Sequence, residues 1–405
     1  MLTLAWRNVW RNQRRSLITL ISIGSGLAAI LFGQSMIKSV QVQLVEKATG
    51  IIIGHIRVMR GDVKDLKVPE KNIDDPAPIY KALAAEPGVE TFGARILFTG
   101  LVSSPANSKG VLICAVEPHK ERKIVQIPKY INQGHFLTGN PHEIVMGDKL
   151  AEDLDVRLGE KLVVMAQATD GSLGAEAARL VGIYHTASAT FDGQIIYVPL
   201  ELCQQMLAMG NKVNDFIVRV KNIQEVDSIR DRLARALKDH PAVKVYTWRE
   251  VDHELVGIQR FQNAILFVVL IIIFVIVSLG ILNTLLMSLF ERIREFGVLM
   301  AMGAKPRFIL RLVLLESFLL GLMGLALGLV VGSILILYFG KTGLPLPIGD
   351  AISYFMPFDS VIYMRFAWDK HWVSIVAVFV ASLISGLIPA LRASRLKVAE
   401  ALRHV

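Results

Sequence analysis

Four long apolar runs constrain this 405-residue chain more than any other feature. They cover residues 16–37, 264–290, 312–340 and 372–391, and all but the third are free of charged residues. A helix needs about 20 residues to cross the roughly 30 Å of hydrocarbon in a membrane, so each run is long enough to span it. Buried helices of a soluble protein are the alternative, which charge-free runs of this length disfavour. The sequence therefore predicts four transmembrane helices.

Basic residues cluster in three segments of the chain, residues 1–15, 291–311 and 392–405. Lysine and arginine accumulate on the cytoplasmic side of membrane proteins, and four spans place these three segments on one side. The sequence therefore predicts cytoplasmic N- and C-termini, with residues 38–263 and 341–371 outside the cytoplasm. The formal net charge of +9 follows from this topology, and no nucleic-acid-binding motif argues otherwise.

The basic N-terminal segment carries Trp6 and Trp10, four residues apart. This pattern predicts an amphipathic helix that lies along the inner membrane surface, with a plain topogenic signal as the alternative. The apolar run that follows is too long for a cleaved signal peptide, so we expect a retained anchor.

Residues 38–263 have the mixed pattern of a water-soluble α/β domain. Short β-branched segments bounded by Gly, Pro or Asp predict strands at residues 55–59, 95–102, 110–116, 161–165, 179–184, 194–198 and 215–220. Predicted helices lie at residues 78–85, 147–154 and 226–239. The order of these elements predicts an α/β module with a β-rich insert at about residues 128–199. Helical stalks are expected at both ends of the domain, at residues 38–49 and 248–262.

Chemistry-bearing motifs are weak throughout the chain. The sequence Gly340-Lys341-Thr342 lacks the glycine that a phosphate-binding loop has five positions earlier, where Leu335 stands. The two cysteines, Cys114 and Cys203, match no metal-binding spacing; we expect two free, buried thiols, and a disulfide between them is the alternative. The sequence therefore predicts no catalytic residues and no metal site.

A short charged segment, ERIREFGVLMAMGAKP at residues 291–306, separates the second and third apolar runs. In helical geometry four apolar residues fall roughly on one side, namely Ile293, Phe296, Val298 and Met300. Gly303 and Pro306 are signals that end a helix. The segment predicts a short amphipathic helix between two spans, and a basic loop that merely fixes topology is the alternative.

The third apolar run contains two further features. Gly324, Gly328 and Gly332 are four residues apart, which predicts a smooth stripe for close packing against another helix. Glu316 lies near the cytoplasmic end of the same run. We expect it to reach the nearby interface or to pair with Arg311, and a functional role is the alternative.

Three motifs resemble those of the FtsX-like, MacB-type permeases of ABC transporters, whose lipoprotein-releasing members LolC and LolE the chain resembles in architecture. The first is AWRNVWRN at residues 5–12. The second is ERIREFGV at residues 291–298, followed by Met302-Gly303-Ala304. The third is Pro389-Ala390 with RASR at residues 392–395 and EALR at residues 400–403.

The resemblance implies a dimer of permeases with two separate cytoplasmic ATPase subunits, which would bind ATP and Mg²⁺. It implies that this chain has no cofactor and is not itself an enzyme. The α/β domain would correspond to the porter part of the family and the β-rich insert to its sabre part. The residues that would couple to the ATPase are Glu291, Arg292, Arg294, Glu295, Phe296, Gly297, Met302, Gly303 and Ala304.

The function that the resemblance implies is mechanotransmission in the bacterial inner membrane. ATP hydrolysis would move the external domain and extract lipoproteins or similar amphiphiles from the membrane. The alternatives are a MacB-like component of a tripartite efflux pump and an FtsX-like regulator of cell-wall hydrolases. The substrate, the direction of transport, the ATPase, and the choice between an identical and a paralogous second permease stay open at the level of sequence.

Overall fold

A computed structural model describes residues 1–11, 13–61, 72–186, 188–345 and 361–395, without the side chains of Arg15 and Ile52. The chain divides into two compact units. We call Met1–Gln41, Gln259–Leu344 and Val361–Val405 the membrane unit, and Val42–Ile258 with Pro345–Ser360 the α/β domain. The EALR motif at residues 400–403 lies outside the described residues.

Helices account for most of the membrane unit, and shorter helices occur in the α/β domain. In chain order the helices are α1 (Leu2–Arg11), α2 (Gln13–Ala48), α3 (Ala77–Ala85), α4 (Pro118–Ile124), α5 (Asp148–Asp153), α6 (Ala189–Asp192), α7 (Leu200–Met206), α8 (Val226–Ala236), α9 (Trp248–Val251), α10 (His253–Glu291), α11 (Ile293–Ala301), α12 (Pro306–Thr342) and α13 (Trp368–Ser394). Helices α2, α10, α12 and α13 are each long and apolar enough to cross a membrane. The predicted fold class, four transmembrane helices with an α/β domain, is therefore confirmed.

Close packing of α2 on α12 depends on the glycine stripe of the third span. A Cβ atom at Gly324 would lie 2.6 Å from the Cβ of Ile23, and one at Gly328 would lie 2.8 Å from the carbonyl oxygen of Gly24. In the same way, a Cβ atom at Gly332 would lie 3.3 Å from the Cα of Ala28. Small residues let the two helices approach closely in lipid, where packing replaces the hydrophobic effect as the source of association.

The α/β domain is built on one ten-stranded sheet. In chain order the strands are β1 (Ile56–Arg60), β2 (Val89–Ser103), β3 (Ser108–Val116), β4 (Ile131–Gly134), β5 (Glu143–Gly147), β6 (Lys161–Gln167), β7 (Leu173–Tyr184), β8 (Ile195–Pro199), β9 (Asp215–Val220) and β10 (Val243–Thr247), with the two-residue strands β11 (Leu344–Pro345) and β12 (Val361–Ile362) after them. The order in the sheet is β10-β1-β9-β2-β3-β8-β5-β7-β4, and β6 pairs with β2 and β7. Strands β4 to β8, which include the predicted β-rich insert, thus continue the same sheet as β2 and β3.

The seven predicted strands of the domain are all present, although β2 and β7 are longer than expected. No strand was predicted at the positions of β4, β5 or β10. Strand β4 is polar and mostly exposed, and β5 is a five-residue segment buried along its whole length, so neither shows the alternation that marks a strand. The predicted free thiols are confirmed, because Cys114 and Cys203 are both unbonded and buried.

Two ion pairs are enclosed in the interior of the domain. Arg57 on β1 holds Asp215 on β9 through two contacts, 3.0 Å from Nε to Oδ1 and 2.7 Å from Nη2 to Oδ2. Arg95 on β2 pairs with Glu121 on α4, and its Nε lies 3.3 Å from Oε2. Both pairs join different elements, so each fixes how those elements pack.

Candidate coupling site

Helix α11 is separated from the two spans beside it by breaks in the backbone. Arg292, directly after α10, leaves helical geometry with φ −107° and ψ 10°. At the other end Gly303 has φ +96°, in the left-handed region that favours glycine. Pro306 then lies in the first turn of α12, where the lack of an N–H on proline removes no helical hydrogen bond. The short helix predicted from the sequence is therefore present, with its ends at the predicted residues.

The buried face of α11 differs from the predicted one. Ile293, Phe296 and Gly297 are buried, whereas Val298 is 44% exposed. Residues three and four positions apart share a face of a helix, but Val298 is five positions from Ile293 and points well away from it. The prediction that grouped Val298 with Ile293 and Phe296 on one side of the helix was wrong, and Val298 instead belongs to the exposed surface of α11.

Phe296 fixes α11 to the rest of the membrane unit. Its ring is 1% exposed and belongs to a hydrophobic cluster drawn from α1, α10, α11, α12 and α13. The other buried members of this cluster are Ala5, Leu289, Ile309, Leu312, Val313, Ala390 and Ala393. A displacement of α11 would therefore displace parts of four other helices, since interiors are too closely packed to absorb it locally.

Glu316 on α12 is buried and accepts three hydrogen bonds from distant segments. Asn8 Nδ2 donates to Oε1 at 2.7 Å, and Arg292 Nη1 donates to Oε1 at 3.1 Å and to Oε2 at 2.9 Å. The expected pairing with Arg311 is therefore wrong. Arg311 is five residues before Glu316 on the same helix, and that separation turns the two side chains to different faces.

Arg292 links this carboxylate to α11 itself. Its Nε donates to Glu295 Oε2 at 3.2 Å, and its guanidinium lies 4.9 Å from the centre of the Phe296 ring. Arg11, at the end of α1, also contacts the carboxylate of Glu295. Burial raises the pKa of Glu295, but the hydrogen bonds from Arg11 and Arg292 outweigh it and leave the pKa below its usual value. Glu295 is therefore ionised at neutral pH.

A polar cavity of about 210 Å³ lies beside Glu316. Several polar side chains line it, including Asn8, Thr284, Ser288, Arg292 and Glu316. Space on this scale among polar groups can hold water. The Arg292–Glu316 pair consequently has room to change its geometry without leaving either charge in an apolar surrounding.

The predicted coupling residues divide into two groups. Arg292, Phe296 and Gly297 contribute to the buried side of α11, and Glu295 joins them through its contact with Arg292. Glu291, Arg294, Met302 and Gly303 are exposed, and Ala304 is half-buried. Sequence patterns did not indicate the roles of Asn8, Arg11 and Glu316, although a lone carboxylate in an apolar run was a signal for the last.

A second candidate site is an apolar groove of about 510 Å³ between α2, α10 and α13. Its walls include Ile30, Leu266, Phe267, Leu270, Ile271, Phe274, Val373, Ala377 and Val378. Polar groups lie at one end, where Lys370 Nζ donates to Asn263 Oδ1 at 3.0 Å and Gln34 Nε2 donates to Ser374 Oγ at 2.7 Å. An apolar volume with a polar end suits an amphiphile.

One group of side chains in the α/β domain has the composition of a metal site. Ligand atoms of Asp148, His185 and Asp192 all lie within 4.8 Å of one another. They are already paired internally, because His185 Nδ1 is 2.7 Å from Asp148 Oδ2 and Thr186 donates its N–H and its hydroxyl to Asp192. Burial raises the pKa of Asp192 to about 6. These contacts explain the cluster without an ion.

Two family models match the chain. The MacB-like periplasmic core domain matches residues 16–236, and the FtsX-like permease C-terminal model matches residues 267–398. The lipoprotein-releasing system transmembrane protein LolE of Haemophilus influenzae is 22% identical over 98% of each chain. An uncharacterized ABC transporter permease of Methanocaldococcus jannaschii is 25% identical over 100% of this chain and 97% of that protein.

Other similarities extend to a longer relative and to a solved domain. The macrolide export ATP-binding/permease protein MacB of Escherichia coli strain K12 is 24% identical over 99% of this chain and 60% of that protein. The crystal structure of the periplasmic region of MacB from Actinobacillus actinomycetemcomitans covers 52% of this chain and 97% of that chain, at 11% identity and a TM-score of 0.37.

Four membrane helices, an α/β domain between the first two and a short helix between the second and third define a membrane permease with a large extramembrane domain. The chain belongs to the family of ABC transporter permeases that combine a MacB-like periplasmic core domain with an FtsX-like C-terminal region. It is thus a permease of the LolC/LolE or MacB type, with a large extracytoplasmic domain.

Proposed function

We propose that this chain is the permease subunit of an ABC transporter in which a separate cytoplasmic ATPase binds α11. ATP and Mg²⁺ bind to that ATPase, and its closure moves α11 and, through it, the α/β domain. The transporter extracts lipoproteins or similar amphiphiles from the inner membrane. Both termini and α11 then lie on the cytoplasmic side, where basic residues are favoured.

The observation that carries this proposal is the contrast between the two faces of α11. One face is anchored by Phe296 and by the Arg292–Glu316 contacts. The other exposes Arg294, Val298 and Met302. An exposed apolar patch with a charge, on a helix fixed firmly from behind, is suited to receive a partner and to pass on its movement.

Replacing Val298 with Asp tests the binding of the ATPase. The substitution places a charge on the exposed face, so it should abolish co-purification of an ATPase with the tagged chain while the chain still inserts in the membrane. Leu158→Asp is the matched control, because Leu158 is 43% exposed in the α/β domain. Co-purification of equal amounts of ATPase with both variants would refute the docking role of α11.

The groove between α2, α10 and α13 supports the amphiphile as substrate. Its apolar walls accommodate acyl chains, and Lys370 and Asn263 at one end offer donors to an anionic or polar headgroup. A tripartite pump for water-soluble compounds gives no reason for an apolar groove that opens between membrane helices.

Two leucines on α10 provide a matched test of this groove. Leu270 lines it, whereas Leu279 lies nine residues further along, on the opposite side of the helix, and is exposed. Leu270→Trp should fill the groove and reduce the lipoprotein bound to the purified complex, and Leu279→Trp should leave it unchanged. Equal lipoprotein in both variants would instead favour an efflux pump or a regulator of cell-wall hydrolases.

Assembly with a second permease, identical or paralogous, completes the proposal. The apolar window of α10 is 11% buried within the chain, against 39–44% for the other three spans. We propose that part of this uncovered surface faces the second permease and the remainder faces lipid. Mass spectrometry of the intact complex would establish whether one or two kinds of permease are present.

A further inference from the structure

Helix α1 makes more contacts at the coupling site than a topogenic signal requires. Asn8 donates to Glu316 on α12, and Arg11 contacts Glu295 on α11. Ala5 and Val9, one turn apart, are both buried, and Ala5 lies in the same hydrophobic cluster as Phe296. One face of α1 is therefore packed against α11 and α12.

A second side of α1, next to the buried one, is aromatic and exposed. Trp6 and Trp10 lie one turn apart, with ring centres 5.9 Å from each other in an edge-to-face arrangement, and they are 46% and 44% exposed. Exposed tryptophans on a basic amphipathic helix are suited to the headgroup region of a membrane. Helix α1 thus has one face for the coupling site and one for the membrane surface.

We propose that α1 is the third element of the coupling site, and that Asn8 and Arg11 are positioning residues that make α1, α11 and α12 move together. The inference rests on the proposed function, since it assumes an ATPase that acts on α11. Glu316 is the common point of the three helices, because a single carboxylate accepts hydrogen bonds from Asn8 on α1 and from Arg292 at the start of α11.

The arrangement gives α11 a fixed support on the membrane. A helix held at Phe296 alone could rotate about that contact when an ATPase pulls on it. The hydrogen bond from Asn8 to Glu316 and the contact of Arg11 with Glu295 lie away from Phe296 and oppose such rotation. The polar cavity of about 210 Å³ beside Glu316 allows Arg292 to adjust during the movement while its charge stays solvated.

The test follows the accessibility of the cavity during ATP hydrolysis. Ser288 lines the cavity, and the native Cys114 and Cys203 are buried, so a Ser288→Cys chain has one reactive thiol. The tagged chain is purified with its co-purifying ATPase and treated with a water-soluble maleimide, with and without ATP and Mg²⁺. In the parent complex we expect ATP to change the labelling rate.

Two substitutions in α1 should remove that response. Asn8→Asp sets a second carboxylate against Glu316, and Arg11→Ala removes the contact with Glu295. In each we expect the ATP-dependent change in labelling to fall about tenfold, a factor within the range of typical coupling free energies. The amount of bound ATPase is measured in each variant, so that a loss of coupling is distinguished from a loss of docking. Arg7→Ala is the control, because Arg7 is exposed on the same helix.

Exchange of the two side chains provides the rescue. The double variant Asn8→Asp with Glu316→Gln keeps one amide and one carboxylate beside Arg292, so it should restore the labelling response. A purely structural role for α1 predicts no rescue, because the double variant alters one half-buried and one buried residue. A normal response in Asn8→Asp, with ATPase bound, would overturn the inference and leave the proposed function intact. An absence of ATPase from the parent complex would instead refute the proposed function.

Discussion

Buried charge is handled differently in the α/β domain and in the membrane unit. In the domain, Arg57–Asp215 and Arg95–Glu121 are enclosed pairs, with each side chain at most 2% exposed. In the membrane unit, the side chains of Arg292 and Glu316 are 13% and 10% exposed and border a polar cavity. The first two pairs have no space in which to change their geometry, whereas the third borders a cavity and has further hydrogen-bond partners.

This difference separates pairs that hold a fold from one that can move. An enclosed pair cannot separate without leaving a charge in a medium of low polarity, so its geometry is fixed. A pair beside a polar cavity can lengthen one contact and gain water in exchange. The α/β domain therefore has the character of a rigid body, and the coupling site that of a joint within the membrane unit.

The largest effect should follow from breaking an enclosed pair. Glu121→Gln leaves Arg95 without a counter-charge in the interior of the domain, and we expect a loss of about 3–5 kcal/mol in the free energy of unfolding. The native thiols report it, because Cys114 and Cys203 are buried and react only when the domain opens. Reaction with a thiol reagent as temperature rises should begin at lower temperature in the variant.

Glu90→Gln is the control for this substitution. Glu90 pairs with Arg219 at 3.2 Å, and its side chain is half exposed. Surface pairs contribute about 0–1 kcal/mol, so thiol exposure should hardly shift. If Glu90→Gln and Glu121→Gln shifted it equally, the enclosed pairs would not be the structural supports that their burial indicates.

Glu316→Gln should have a smaller effect on stability than Glu121→Gln, although Glu316 is also buried. Arg292 can turn into the polar cavity and retain its contact with Glu295, so we expect a loss of roughly 1.5–3 kcal/mol, that of one hydrogen bond to a charged group. Thermal unfolding of the full chain in detergent measures it. A loss as large as that of Glu121→Gln would mean that the cavity gives Arg292 no alternative.

Local patterns in the sequence predicted those features of the structure that depend on residues close together along the chain. The spans follow from long apolar runs, and the ends of α11 follow from Gly303 and Pro306. The buried face of α11 was predicted only in part, because Val298 was grouped by polarity where helical geometry puts Gly297 inside. Apolar character alone does not identify the buried side of so short a helix.

Pairings between distant segments were beyond the reach of the sequence. Asn8 and Glu316 are 308 residues apart, so no local pattern connects them. Arg311 is the nearest basic residue in sequence and was therefore predicted as a partner of Glu316. The break in the helix at Arg292 instead turns the Arg292 side chain towards Glu316 on α12. Both enclosed pairs of the domain join elements that only the assembled fold brings together.

The smallest effect concerns pH and extends the comparison to titrating groups within the domain. His55 Nδ1 accepts a hydrogen bond from the N–H of Val220, and burial, followed by the charge of Arg219, lowers its pKa to about 4. In the unfolded chain its pKa is about 6.5, so between these values only the unfolded state binds the proton. His55 therefore lowers the free energy of unfolding as pH falls from about 6.5 to about 4.

Asp192 has the opposite sign, because burial raises its pKa to about 6 and the folded state then keeps a proton that the unfolded state releases. The thermal midpoint should therefore fall less on acidification in His55→Asn than in the parent, and more in Asp192→Asn. Fluorescence-monitored unfolding from about pH 7 to about pH 4.5 measures both slopes. Identical slopes in all three proteins would mean that water reaches these groups in the folded domain, and that its interior is less closed than its ion pairs indicate.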